Sequence, residues 1–161
     1  MLPVAIAAQP LAASSFRDYG HVLSLAEAGR VYHGGLIENR RPHAQLDLSL
    51  ALVDAGVLPF ALRLFERHPF SAQAFIPIDV AGYLVTVCPD DGTGQPDPSR
   101  AVSFMAGPDQ AIVYAAGAWH HPMVALQRPG RFAIVMWTTG DDGDEELVPL
   151  AAPMQVINKT S

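Results

Sequence analysis

The chain has 161 residues, half of them hydrophobic and 16% charged, and a formal net charge of -6. This excludes a disordered chain and suits one compact core, so residues 1–161 are expected to form a single domain. The acidic balance, with no basic cluster longer than Arg40-Arg41, excludes a nucleic-acid partner, whose phosphates need a basic face. A small anionic substrate needs only one or two placed donors and stays compatible.

Taken in chain order, Met1–Ala13 is apolar but lacks a positive leader region, and Pro3 and Pro10 interrupt it. It does not read as a signal peptide. No segment reaches the ~20 apolar residues that span a bilayer. With one cysteine, Cys88, no internal disulfide can form, so a cytoplasmic protein free of membrane is expected. Ser14 or Ser15 is expected to cap a short helical turn through Arg17-Asp18-Tyr19, ended by Gly20.

Beyond that turn the pattern has period two. Leu46, Leu48, Leu50 and Leu52 alternate with Asp47, Ser49 and Ala51, which predicts a half-buried strand. Further strands are predicted at Phe60–His68, Gln73–Ile78, Tyr83–Cys88, Ala101–Met105, Ala111–Ala115, Met123–Gln127 and Phe132–Thr138. Asp90-Asp91-Gly92, Gly107-Pro108-Asp109 and Pro129-Gly130 supply turns between them. Cys88 falls in an apolar run and reads as a buried hydrophobe rather than a nucleophile. Pro89–Ser99 reads as a surface loop. Gly140–Glu146 holds five acids but matches no calcium-loop spacing, so it reads as a solvated turn. Many short strands without βαβ alternation predict an all-β sandwich or barrel with few short helices.

Two segments carry chemistry. On a strand, Phe60, Leu62, Leu64, Glu66 and His68 share one face, and Arg63, Phe65 and Arg67 the other. If the Phe/Leu face points inward, Glu66 and His68 do too, and burying them requires a pair, a hydrogen bond or a metal. The alternative phase turns Phe65 inward and leaves Glu66 at the rim. In Gly117-Ala118-Trp119-His120-His121-Pro122, adjacent histidines face opposite ways, so only one can share a pocket with His68. Imidazole suits proton transfer and binding of zinc, nickel or iron; a packed strand end is the plainer alternative.

The run Glu66–Pro77 (ERHPFSAQAFIP) and Trp119-His120-His121-Pro122, with Phe16–Gly20 and Leu126-Gln127-Arg128, resemble the ureidoglycolate lyase (ureidoglycolate hydrolase) family. The resemblance implies an all-β, cupin-like (jelly-roll) antiparallel β-barrel. Laid on the wider cupin pattern, Glu66, His68, Gln73 and His120 would be the metal ligands. This set is weaker than three histidines and a glutamate, so any divalent ion, Ni or Zn, is expected to bind weakly, and no cofactor is required.

The resemblance also implies a carbon–nitrogen lyase cleaving ureidoglycolate to glyoxylate and urea, in allantoin and purine nitrogen catabolism. His68 and His120 would be base and acid, with Glu66 orienting or charging one of them. Gln73 would hold the ureido group. Arg128, or an arginine of Arg40-Arg41, would meet the carboxylate, helped by backbone amides of Gly34-Gly35. Tyr32-His33-Gly34-Gly35 and Met136-Trp137 depart from the family's usual pattern and bear on substrate choice. A paralogue acting on another small ureido or 2-hydroxy acid, and a domain that merely binds one, are the alternatives. A homodimer is expected, from an antiparallel barrel with apolar segments such as Leu147–Ile157.

Overall fold

Period-two patterning becomes strand wherever turn chemistry bounds it. The structure, a computed structural model, describes residues 4–159. Its strands are β1 (Ala5–Pro10), β2 (Gly20–Ser24), β3 (Gln45–Val53), β4 (Ala55–Gly56), β5 (Phe60–Arg67), β6 (Gln73–Pro77) and β7 (Tyr83–Cys88). They continue as β8 (Val102–Ala106), β9 (Gln110–Tyr114), β10 (Trp119–His120), β11 (Val124–Leu126), β12 (Gly130–Thr138) and β13 (Glu146–Asn158). A single helical turn, α1 (Ala13–Phe16), follows β1. Its N-cap is Ala12, so neither Ser14 nor Ser15 caps it; Ser15 Oγ instead donates back to the Ala12 carbonyl at 3.1 Å. Among the described residues, no helix is long and apolar enough to cross a membrane.

Six strands close a ring in the order β10-β5-β13-β1-β8-β7, sealed by pairing of β7 with β10. The fold is therefore a cupin-like β-barrel. Antiparallel pairing holds around the ring except at β1, which runs parallel to both β8 and β13. No hairpin joins β1 to either neighbour, so nothing imposes the antiparallel sense. A second sheet, β2-β9-β6-β12-β3, is antiparallel throughout.

Two apolar clusters hold these layers. Ala8, Leu62, Leu84, Met154 and Val156 come from β1, β5, β7 and β13 and fill the ring. Tyr83, Val85, Val87 and Phe104 pack from the ring wall against Phe75, Ile112, Tyr114 and Phe132 of the second sheet. Edge-to-face rings recur there, as between Tyr83 and Phe132 at 5.1 Å.

Two expectations about faces are corrected. First, β5 does not alternate without a break. Its pairing with β13 shifts register between Pro149 and Met154, beside Pro153, which has no N–H to give to a ladder. Leu62 and Phe65, three residues apart, are both fully buried, and Arg63 between them is exposed. Glu66 therefore stands on the face opposite Phe65, toward the second sheet rather than the barrel interior. Second, the leucine stripe of β3 is not half-buried. Leu46, Leu48, Leu50 and Leu52 are 57%, 67%, 73% and 62% exposed, on a strand that is also an edge, paired only with β12.

Candidate active site

The candidate residues meet where the ring wall faces the second sheet. His120 of β10 pairs directly across from Glu66 of β5 and from Val87 of β7, so their side chains share that face. His68 lies just past the end of β5. Gly117, at φ +83°, turns the chain so that its N–H donates to the His68 carbonyl at 2.9 Å, tying the two histidine segments together. The donor atoms of Glu66, His68 and His120 all lie within 4.8 Å of one another.

Each histidine has its outer nitrogen engaged. His68 Nδ1 lies 2.8 Å from the Asp144 carbonyl, and His120 Nδ1 lies 2.9 Å from the Ala118 carbonyl. A carbonyl only accepts, so both Nδ1 atoms carry the proton and both Nε2 atoms turn a lone pair inward. Both Nε2 atoms are buried without a hydrogen-bond partner. His120 Nε2 approaches Glu66 Oε1 to 3.3 Å, but misaligned, so the contact does not satisfy it. An acceptor facing an acceptor at this range requires a proton or a metal cation between them. Two bare imidazole nitrogens, a carboxylate and backbone-anchored outer nitrogens are a donor set that fits Ni²⁺ or Zn²⁺.

The second sheet supplies the adjoining wall. Tyr114 of β9 stacks on the His120 ring, with centroids 4.0 Å apart and planes 13° from parallel. Gln73 of β6 pairs across from Tyr114 on one side and Met136 of β12 on the other. The Tyr114 hydroxyl and Gln73 Oε1 are also buried without partners. Gln73 gives only a long contact, 3.6 Å, to Met136 Sδ. Gln73 thus adjoins the three-residue group without being part of it.

Burial and mutual charge set the protonation states. Burial first, then the neighbouring His120, hold His68 down to about 4, so it is neutral near pH 7. Burial alone would raise Glu66; the contact with His120, the charges of both histidines and a contact with Glu145 outweigh it, and the net direction is down. Glu145 moves up, through desolvation and the adjacent Glu66. Complete burial keeps the Tyr114 phenol well above its usual range, so it can donate but not act as a base.

The acidic segment 140–146 is more than the solvated turn its composition suggests. The Asp144 carbonyl holds His68, and its carboxylate accepts from Thr138 and Thr139 and pairs with Arg41. Glu145, the next residue, is exposed. Arg41, whose guanidinium also stacks over Phe70 at 5.2 Å, is thereby placed beside the strap. Arg40 is spent on Glu38, at 2.8 Å, and on the Pro69 carbonyl.

Other expected residues are not brought here. Arg128 is exposed and bonds the Pro129 carbonyl beside Gly130, at the end of β12 that pairs with Val53; Gln73 pairs at the other end, with Met136. Gly34-Gly35 form an exposed turn before Leu36 and Ile37, which pack on Ala74, Val113 and Val135, the outer side of the second sheet. Of the Met136-Trp137 pair, Met136 touches Gln73, while Trp137 Nε1 donates outward to the Ile37 carbonyl at 2.9 Å. Cys88 is buried, and burial raises its thiol to about 12.

Fold and site together define a cupin-like barrel with a buried centre of two histidines and one carboxylate. Residues 3–157 match the family model described as ureidoglycolate lyase. Named ureidoglycolate lyases from Brucella melitensis and Rhodobacter capsulatus are each 32% identical to it. The first aligns over 86% of both chains, the second over 92% of this chain and 95% of its own. A relative from Agrobacterium fabrum is 36% identical over 94% of both chains. The chain belongs to the ureidoglycolate lyase family.

Proposed function

We propose that this chain cleaves ureidoglycolate to glyoxylate and urea at the Glu66–His68–His120 centre. The observation that carries the assignment to this site is the convergence of two unpartnered imidazole Nε2 atoms on one carboxylate. The reaction moves the carbinol hydroxyl proton to the departing ureido nitrogen as the C–N bond breaks and the carbonyl forms. No electron is transferred, and one proton carrier suffices. Glu66 takes the hydroxyl proton on one oxygen and returns it to nitrogen, while His120 and His68 hold its position and the local charge. Gln73 and the Tyr114 hydroxyl, each with free hydrogen-bonding capacity, orient the ureido group. Arg41, which pairs with Asp144, brings a guanidinium of the kind that suits the substrate carboxylate.

Glu66, His68 and His120 are the residues that would hold a divalent ion, and the Glu66 carboxylate has a second oxygen with which to carry the proton. When bound, the ion supplies positive charge for the hydroxyl oxygen and carboxylate of the substrate. The test is product analysis on purified protein given ureidoglycolate. Urea and glyoxylate should appear in equal amounts, with no ammonia. Ammonia in place of urea would show attack at the ureido carbonyl and sink the lyase reading.

A homodimer fits the β3 edge. Its leucine stripe exposes on the order of 500 Å² of apolar surface, against ~800 Å² per partner in a standard interface. Neighbouring Val135 and Ile76 extend the patch, and the unpaired backbone edge of β3 adds main-chain donors and acceptors. A second copy, presenting the same stripe across a two-fold axis, is the occupant we assign to it.

A further inference from the structure

We propose that Asp144 is a positioning residue for His68: its carboxylate pins its own carbonyl onto the His68 ring and so fixes which imidazole nitrogen carries the proton. This rests on the catalytic reading of Glu66, His68 and His120 above. The two histidines of the centre are held in unlike ways. His120 Nδ1 meets the carbonyl of Ala118, two residues back in its own segment, whereas His68 Nδ1 meets a carbonyl 76 residues along the chain, at 2.8 Å. No local geometry keeps that acceptor in place, so the hold on His68 lasts only while residue 144 is itself held. With the proton on Nδ1, His68 turns a bare Nε2 to the centre, where the ligand atoms of all three residues lie within 4.8 Å of one another. With the proton on Nε2, the ring would turn a donor toward the Glu66 carboxylate and tie up the oxygen that takes the hydroxyl proton.

The Asp144 carboxylate is held from two sides, and both lead back to the chain just after His68. It accepts from the Thr138 hydroxyl and the Thr139 N–H at the end of β12, where the Trp137 N–H donates to Ser71 Oγ at 2.8 Å. It also pairs with Arg41, which in turn donates to Thr139 Oγ1 at 3.0 Å. Arg41 follows a short ladder in which the Arg40 N–H donates to the Phe70 carbonyl and the Ala72 N–H to the Glu38 carbonyl. The segment that carries His68 therefore also fixes the acceptor for its ring. The Arg41 and Asp144 side chains are only 17% and 11% exposed, so water is a poor substitute for a lost partner.

The test reads the His68 tautomer by NMR of the imidazole nitrogens in full-length, chelator-treated protein near neutral pH, assigned against His68→Gln. Urea release is measured beside it on the protein as purified. Wild type should show His68 protonated on Nδ1 alone. Asp144→Ala should show exchange between the two tautomers and a kcat lowered about 10-fold or more. Asp144→Asn, which keeps an acceptor for Thr138 and Thr139, should recover part of both. Glu146→Ala cuts another tie of the same segment, the 2.7 Å contact to Arg67, and should leave the tautomer as in wild type and kcat within about 2-fold. Thermal unfolding checks the fold of each variant, and Asp144→Asn carries the test if the alanine variant does not fold. A wild-type His68 protonated on Nε2, an Asp144→Ala protein with the wild-type tautomer or an unchanged kcat, or an equal change in Glu146→Ala would overturn the inference. The tautomer is read without substrate, so a protein that releases no urea sinks the lyase reading and leaves the hold of Asp144 on His68 to be judged by the nitrogen shifts.

Discussion

His120 Nε2 stands 3.3 Å from Glu66 Oε1 without an aligned hydrogen bond, and both groups are held there by strand pairing. Neither nitrogen nor oxygen is spent on structure, so removing either should hurt turnover more than binding. Glu66→Gln keeps the shape but cannot carry the proton as a carboxylate, and kcat should fall about 10²–10⁴-fold with a much smaller change in KM. His68→Ala and His120→Ala should behave similarly. Initial rates of urea release check this; an unchanged kcat in Glu66→Gln would remove Glu66 from the proton path.

His68 gives a pH dependence with a definite sign. Its folded value is depressed to about 4 from 6.5, so the native state binds fewer protons than the unfolded chain between those values. Its contribution is present above about pH 6.5 and lost as pH falls toward 4, by up to about 3 kcal/mol. Glu66, also depressed, extends the loss to lower pH. Urea unfolding of chelated protein at pH 7.5, 6, 5 and 4.5 should show this decline, flattened between pH 6.5 and 4 in His68→Gln. A wild-type profile no steeper than that of the variant would contradict the burial argument.

Cys88 supplies a control on the barrel interior. Burial raises its thiol to about 12 from 9.0, which lowers the thiolate fraction near pH 8 about 10³-fold. Alkylation by iodoacetamide should be slower than in urea by at least that factor, and activity should survive it. Rapid native alkylation with loss of activity would return Cys88 to the list of candidate nucleophiles.

The strands from β5 to β9 and β12 were legible because each apolar run is bounded by turn residues, and period two survives locally. The bulge in β5 was not, since its partner β13 lies far along the chain and only their pairing shows where the ladder slips. Glu66, His68 and His120 were legible by residue type, being costly to bury. Tyr114 was hidden as one more aromatic in an apolar strand, and only the pairing of β6 with β9 places it beside Gln73. Asp144 was hidden because an acidic run is ordinarily solvated, and no spacing marks its hold on His68. Arg128 follows His120 closely in sequence, yet β11 and the turn after it carry the chain to the far end of β12.

The leucine stripe of β3 leads to the last prediction. A monomer would hold four leucines more than half exposed on one face of an edge strand, a hazard that edge strands normally avoid with charges, prolines or short length. A second copy removes that surface from water, and wild-type protein should run as a dimer in light scattering at micromolar concentration. Its Tm should rise with protein concentration, since association stabilises only the folded state. Leu48→Glu with Leu50→Glu places like charges at the two-fold axis and should yield monomers. Because both side chains are already exposed in the single chain, those monomers should keep their strand content and cooperative unfolding. A wild-type protein that stays monomeric at about 100 μM, or a doubly charged variant that stays dimeric, would show that the stripe is not the interface.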